Sequence, residues 1–240
     1  TVTISTSPAK KSAPDAWASW KPNFVAYDTV VSNYNGEMWP EAIQKSFVKF
    51  VNDGGGFVSV HAADNSFGKW KEYNEMIGVG GWGGRKLIKD GAWVHVVDGK
   101  VIRDITTEGK CGAHGPRRPF LIEHLDTKHP ITKGLPEKWL HAKDELYCKL
   151  CGPAKNLEVQ AHAKSNLTKR NEPMLMTIVF GKGRVFHTTL GHDVESMRCR
   201  GFYEILERGT EWTATGKVVK TAEVPADFPT ADEVSPVPAP

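Results

Sequence analysis

The sequence predicts an α/β protein with a mainly parallel sheet, helices on both faces and one antiparallel hairpin. Three observations carry that expectation. The turn Gly54-Gly55-Gly56 leads into the apolar run Phe57-Val58-Ser59-Val60, which ends in His61-Ala62-Ala63-Asp64. A buried parallel strand delivers polar groups at its carboxyl end in this way, where open α/β sheets gather their ligands. Residues 39–52 place Trp39, Ile43, Phe47, Phe50 and Val51 at the three- and four-residue spacing of a core-facing helix stripe. Further on, residues 174–180 and 184–190 flank Gly181-Lys182-Gly183, a hairpin signature.

The other elements follow in order. Residues 1–5 alternate β-branched side chains and read as a strand. Asp15 is placed to cap a short helix that carries Trp17 and Trp20. Residues 25–31 read as a strand closed by the turn cluster 32–36, and Gly54 ends the helix that comes next. After Asp64 a helix is expected over 69–77, then the glycine-rich loop 78–85. That loop lacks GxGxxG spacing and leads into no clear helix, so a nucleotide cofactor is not expected. Residues 93–97 and 101–103 form strands around Asp98-Gly99-Lys100, and 111–119 is a loop. Residues 120–125 and 156–163 are further strands, and 201–212 is a closing helix.

A chain of 240 residues with 40% hydrophobic and 25% charged residues can bury a full core. We expect one α/β domain over 1–220 and a Pro-rich tail over 221–240, extended or mobile, with five prolines from Val224 onward. A net charge of +3, without runs of like charge, gives no reason to expect a nucleic-acid partner. No apolar run approaches the ~20 residues of a membrane span. Four cysteines, Cys111, Cys148, Cys151 and Cys199, include a single CxxC. Incidental thiols, a disulfide and, least of all, zinc remain open readings.

Read in order, the segments GGGFVSVHAAD, HPITKGLPEKW, DELY, GKGRVFHTTLGHD and GFYEILERGTEW resemble the trehalose-utilisation (ThuA-like) family, over about residues 27–212. The resemblance implies a flavodoxin-like three-layer sandwich of the class I glutamine amidotransferase type. It also implies a strand and helix ahead of residues 1–5, so the chain is expected to lack that first unit. The segment 91–119 reads as an expansion of a shorter family segment. In amidotransferases the strand corresponding to 57–60 ends in a nucleophilic cysteine. Here it ends in His61, and no cysteine is near in sequence, so amidotransferase chemistry is not expected. Ser59 and Ser66 lie outside a G-x-S-x-G elbow.

The candidate catalytic residues are His61, His192 and Glu145. The two histidines each follow a strand, and Glu145 lies in the DELY segment. Each also has a structural reading: His61 as a backbone-bonded core residue, His192 as a loop brace, Asp144 and Glu145 as a solvated charge pair. Asp64, Trp82, Arg85, His114 and Asp193 are candidates for substrate binding, Trp82 and Trp70 by stacking on a sugar ring. His61, His114, His192 and Glu145 together would make a divalent-metal set, although no HxH or HExxH spacing supports one. The resemblance implies a small-molecule sugar partner, a disaccharide, a glycoside or a keto derivative. The reaction would be of isomerase, lyase or hydrolase type, and the alternative is a carbohydrate-binding module without turnover. The oligomeric state is not legible.

Overall fold

The structure is a computed structural model and describes residues 1–238. In chain order it contains α1 (Pro14–Ser19), β1 (Thr29–Ser32), α2 (Glu41–Asn52), β2 (Gly56–Val60) and α3 (Lys71–Ile77). Next come β3 (Ala92–Val97), β4 (Lys100–Asp104), β5 (Ala113–His114), β6 (Arg118–His124), β7 (Lys138–Asp144), β8 (Tyr147–Cys148) and β9 (Cys151–Gly152). The chain continues through β10 (Leu157–Lys164), β11 (Asn171–Phe180), β12 (Gly183–Thr188), α4 (Val194–Met197) and α5 (Arg200–Thr215).

The main sheet runs β1-β2-β12-β11-β10-β6-β7, with β3, β4 and β9 branching from β11. Strand β2 is parallel to both neighbours, β1 and β12, and the named pairings beyond β12 are antiparallel. The sheet is therefore mixed, not mainly parallel. Parallel pairing needs a long crossover, which α2 supplies between β1 and β2 and the whole stretch from α3 to β11 supplies between β2 and β12. The two-residue turns at 98–99 and 181–182 fold their strands straight back.

Alternation along β2 and β12 sorts the core into two layers. Phe57 and Val185 face one side, where α2 and α3 contribute Phe47, Phe50, Val51, Tyr73, Met76 and Ile77. Val58, Val60 and Phe186 face the other, against Phe202, Ile205 and Trp212 of α5. The β2 strand is buried at all five positions, as expected of a strand covered on both faces whose only polar side chain is the small Ser59. Gly56 is needed for packing: a Cβ there would stand 2.7 Å from the Thr213 carbonyl group.

Three local expectations are corrected. Residues 1–5 form no ladder, and Val2 and Ile4 are exposed; β-branching favours extended backbone but supplies no neighbour to pair with. The strand expected over 25–31 divides into a 3-10 turn at Phe24–Ala26 and the shorter β1, because Phe24 packs on Trp39 and Phe47. Asp15 lies inside α1, whose cap is Ala13 followed by Pro14. The C-terminal segment is extended and seated on the body. Phe228 packs against Trp139 at 5.6 Å, and Leu140 N–H donates to the Thr230 carbonyl at 2.7 Å. Among the described residues no helix is long and apolar enough to cross a membrane.

Candidate metal centre and cleft

At the carboxyl end of β2 the backbone turns abruptly. His61 has φ +42°, a left-handed conformation uncommon for a side-chain-bearing residue and often found at functional sites. The register of β2 with β12 pairs Val60 with Thr188, so His61 stands beside Thr189. Its Nδ1–H donates to the Thr189 carbonyl at 2.7 Å, which fixes the tautomer and leaves the Nε2 lone pair free. Past the end of β12, Gly191 (φ +108°) turns the chain, and His192 comes back toward His61.

His192 Nδ1 lies 3.3 Å from His61 Nε2 and 3.1 Å from Glu145 Oε2, while Glu145 Oε2 is 3.7 Å from His61 Nε2. Two nitrogens each about 2.05 Å from one tetrahedral ion stand about 3.3 Å apart. The three donor atoms thus have nearly the mutual spacing of ligands on a single cation, and two imidazoles with one carboxylate suit zinc or another first-row divalent ion. His61 is buried, Glu145 nearly so, and His192 is about one-third exposed, which leaves one side of the cluster open. On that side His114, held by the pairing of β5 with β8, brings Nδ1 to 3.6 Å from Glu145 Oε1.

Behind the cluster lies Asp144, which the residue pattern alone reads as part of a solvated pair. It is fully buried. Its Oδ1 accepts the backbone N–H groups of Glu145 (2.7 Å) and His192 (3.1 Å). Its Oδ2 accepts Gly191 N–H (2.8 Å) and His141 Nε2–H (2.8 Å). Burial alone would raise the Asp144 carboxyl, but the His141 imidazolium and these N–H groups hold it below the usual carboxylate range. Burial alone would lower His141; the Asp144 carboxylate and the Cys199 thiol instead push it up to about 9, so the pair is ionic at neutral pH.

A cleft of about 590 Å³ adjoins the cluster, lined in part by Asn35, Asn65, Lys69, Trp82, His114 and Tyr147. Tyr147 forms the partition between them. Its ring lies 4.2 Å from the His61 ring and 4.6 Å from Trp82. Burial raises the Tyr147 phenol, which keeps it protonated, and its oxygen accepts Asn65 Nδ2–H at 3.3 Å. Flat apolar rings beside amides make a surface suited to a sugar, whose ring faces are apolar and whose rim is polar.

The fold thus brings His61, Glu145, His192 and His114 together and sets Trp82 in the cleft wall. Other expected residues lie elsewhere. Asp64 is fully buried and faces His187 Nε2 at 3.4 Å. Arg85 is buried as a backbone staple, donating to the carbonyls of Asn65, Gly81 and Ser66 and to Asn74 Oδ1. Asp193 caps α4 through Ser196 N–H and pairs with Arg117. Trp70 is a core residue, Ser59 is buried, and Ser66 donates to the Tyr34 carbonyl. Cys111 and Cys151 form a disulfide, which ties the loop carrying His114 to β9. Cys148 and Cys199 are free and buried. Sequence reasoning set Asp144 aside as a solvated charge and missed Tyr147, although both lie with Glu145 in the DELY segment.

A family profile described as ThuA, trehalose utilisation, matches residues 12–213. Among solved structures, a ThuA-like protein from Parabacteroides merdae is 41% identical, with a TM-score of 0.90 over 96% of this chain and 84% of its own. A second ThuA-like protein, from Bacteroides uniformis, shares the fold at 19% identity and a TM-score of 0.54, over 81% of this chain and 71% of its own. No curated protein matches the chain.

Proposed function

Because the chain belongs to the ThuA family of trehalose utilisation, we propose that it is a metal-assisted enzyme of carbohydrate catabolism. Its substrate in this reading is a disaccharide or glycoside, or a keto derivative of one, and the reaction is of isomerase, lyase or hydrolase type. The supporting observation is the convergence of His61 Nε2, His192 Nδ1 and Glu145 Oε2 within 4.8 Å of one another, beside an aromatic-walled cleft. Three protein ligands with an open side are the arrangement of a catalytic ion rather than a structural one.

When bound, the ion would polarise a sugar oxygen as a Lewis acid. The chain's own groups divide the remaining work. Trp82, braced from behind by the buried Tyr147 ring, stacks on the sugar, and Asn35 and Asn65 bond hydroxyls. Lys69 sets the charge of the rim. His114 Nδ1–H donates to the Gly115 carbonyl at 3.0 Å, which leaves Nε2 free to take a proton. In a keto sugar that proton is the one on the carbon beside the carbonyl, acidified by it.

The test is metal analysis of the purified protein and of His61→Ala and His192→Ala, followed by a turnover screen on keto-glycosides. Stoichiometric metal lost in both variants supports the reading. A wild type without metal sinks the metal-assisted mechanism. Sugar binding unchanged by either variant, with no turnover, would identify a binding module instead.

A further inference from the structure

We propose that Asp144, pinned by His141, is the positioning residue of the candidate centre; this rests on the metal-assisted reading above. Two of the three donor side chains, Glu145 and His192, come from segments 47 residues apart in sequence, on either side of β10, β11 and β12. Neither segment pairs its N–H groups with a strand at this point. Instead, one carboxylate collects the N–H groups of Glu145, Gly191 and His192, with bonds of 2.7, 2.8 and 3.1 Å. A carboxylate has about four lone-pair sites, and His141 Nε2–H fills the fourth at 2.8 Å.

The bond to His141 also fixes the rotation of the carboxylate. Both partners are fully buried, so solvent cannot replace either. His61 is referred to the same segment, since its ring donates to the carbonyl of Thr189, two residues before Gly191. Asp144 therefore sets the separation of the donor atoms without being one of them. An asparagine would keep one acceptor and turn its amide N–H groups toward backbone N–H groups, which cannot accept them.

The test is calorimetric titration of Zn2+ into metal-free protein. Asp144→Asn is expected to bind about 10- to 100-fold more weakly than wild type, the range for residues that orient ligands. His141→Leu should weaken binding in the same sense, and His141→Gln, which restores an N–H for Asp144, should recover it. His141→Leu decides the matter if Asp144→Asn does not fold. Val51→Ala, a core truncation in α2 on the far face of the sheet, serves as the control for stability loss and should bind as wild type.

Wild-type affinity in Asp144→Asn or His141→Leu would overturn the proposal. So would an equal loss in Val51→Ala. If wild type itself binds no Zn2+, the metal-assisted reading fails separately, and imidazole 15N spectra of the metal-free proteins decide the positioning role. Asp144→Asn should then shift the His61 and His192 resonances while Val51→Ala leaves them in place; unmoved resonances in Asp144→Asn would overturn it.

Discussion

Glu172 lies on β11 with no exposed surface, and burial pushes its carboxyl up from 4.5 to about 7 against the hydrogen bonds that favour the ion. Oε2 accepts Trp93 Nε1–H (3.0 Å) and Lys149 N–H (3.1 Å), and Oε1 accepts the Thr168 hydroxyl (2.7 Å). Glu172→Gln preserves this pattern. The amide oxygen takes the two N–H groups, and its NH2 donates to the Thr168 hydroxyl, which rotates to accept. Removed is the cost of burying a charge. The folded-state pKa is raised, so the native protein holds the proton more tightly than the unfolded chain between pH 4.5 and about 7. Wild-type stability from this group is therefore complete below pH 4.5 and lost as pH rises through 7. At 1.36 kcal/mol per pH unit the loss is roughly 3 kcal/mol by pH 8. Urea unfolding of wild type and Glu172→Gln at pH 4.5 and 8 measures it. The two should be nearly equal at the lower pH. At pH 8 the variant should be more stable by roughly 3 kcal/mol, or about 6–12 °C in Tm for a chain of this size. A difference independent of pH, or a variant less stable at pH 8, would refute the reasoning.

Three further outcomes are expected. Gly209→Ala gains about 1 kcal/mol of helix propensity in α5, but its Cβ would stand within the fully buried Phe186 ring, and overpacking costs about 1–3 kcal/mol. The net effect is a loss of up to about 2 kcal/mol in urea unfolding; a stabilised variant would show that the ring yields freely. Replacing both Cys111 and Cys151 with serine opens a loop of 40 residues, worth about 4 kcal/mol of denatured-state entropy. An unchanged urea midpoint would mean that the disulfide stabilises nothing. On the proposed sugar-binding reading, Trp82→Ala removes one aromatic wall of the cleft and should weaken binding of a disaccharide or its keto derivative by about 2- to 10-fold, as for a lost aromatic contact of roughly 0.5–1.5 kcal/mol. Calorimetry with the same sugars on both proteins checks it.

The strand ending in His61 was legible because Phe57, Val58 and Val60, led by glycines and broken only by the small Ser59, have few alternatives to a strand buried on both faces. His192 was legible for a related reason: the Gly181-Lys182-Gly183 turn fixes where β12 begins, and so where it ends. The direction of pairing was not, since periodicity describes how a strand meets its two faces and says nothing of its edges. Asp144 was misread because Lys143-Asp144-Glu145 is locally indistinguishable from a solvated charged run. Its burial arises from N–H groups at 191 and 192 that no window around 144 contains. The CxxC spacing drew attention to Cys148 and Cys151, whereas the bond joins Cys151 to Cys111, whose Cα lies 5.7 Å away across 40 residues. Arg85 and Asp64 sit in the right neighbourhood of the sequence, but the inward carbonyls of Asn65, Ser66 and Gly81 need an internal donor, and Arg85 supplies it.

The strand order carries a consequence for how the protein is made. β12 is the last strand of the main sheet to leave the ribosome, yet it lies between β2 and β11. Until it emerges, the parallel pair β1–β2 and the antiparallel block from β11 to β7 have no shared strand, and each presents an open edge. Insertion of β12 is then a closing event. It joins the two halves and, within four residues of its end, delivers the Thr189 carbonyl and His192 to His61. Assembly of the donor cluster and completion of the sheet are one step, so a nascent chain arrested before residue 183 would hold every described strand but one and no binding centre.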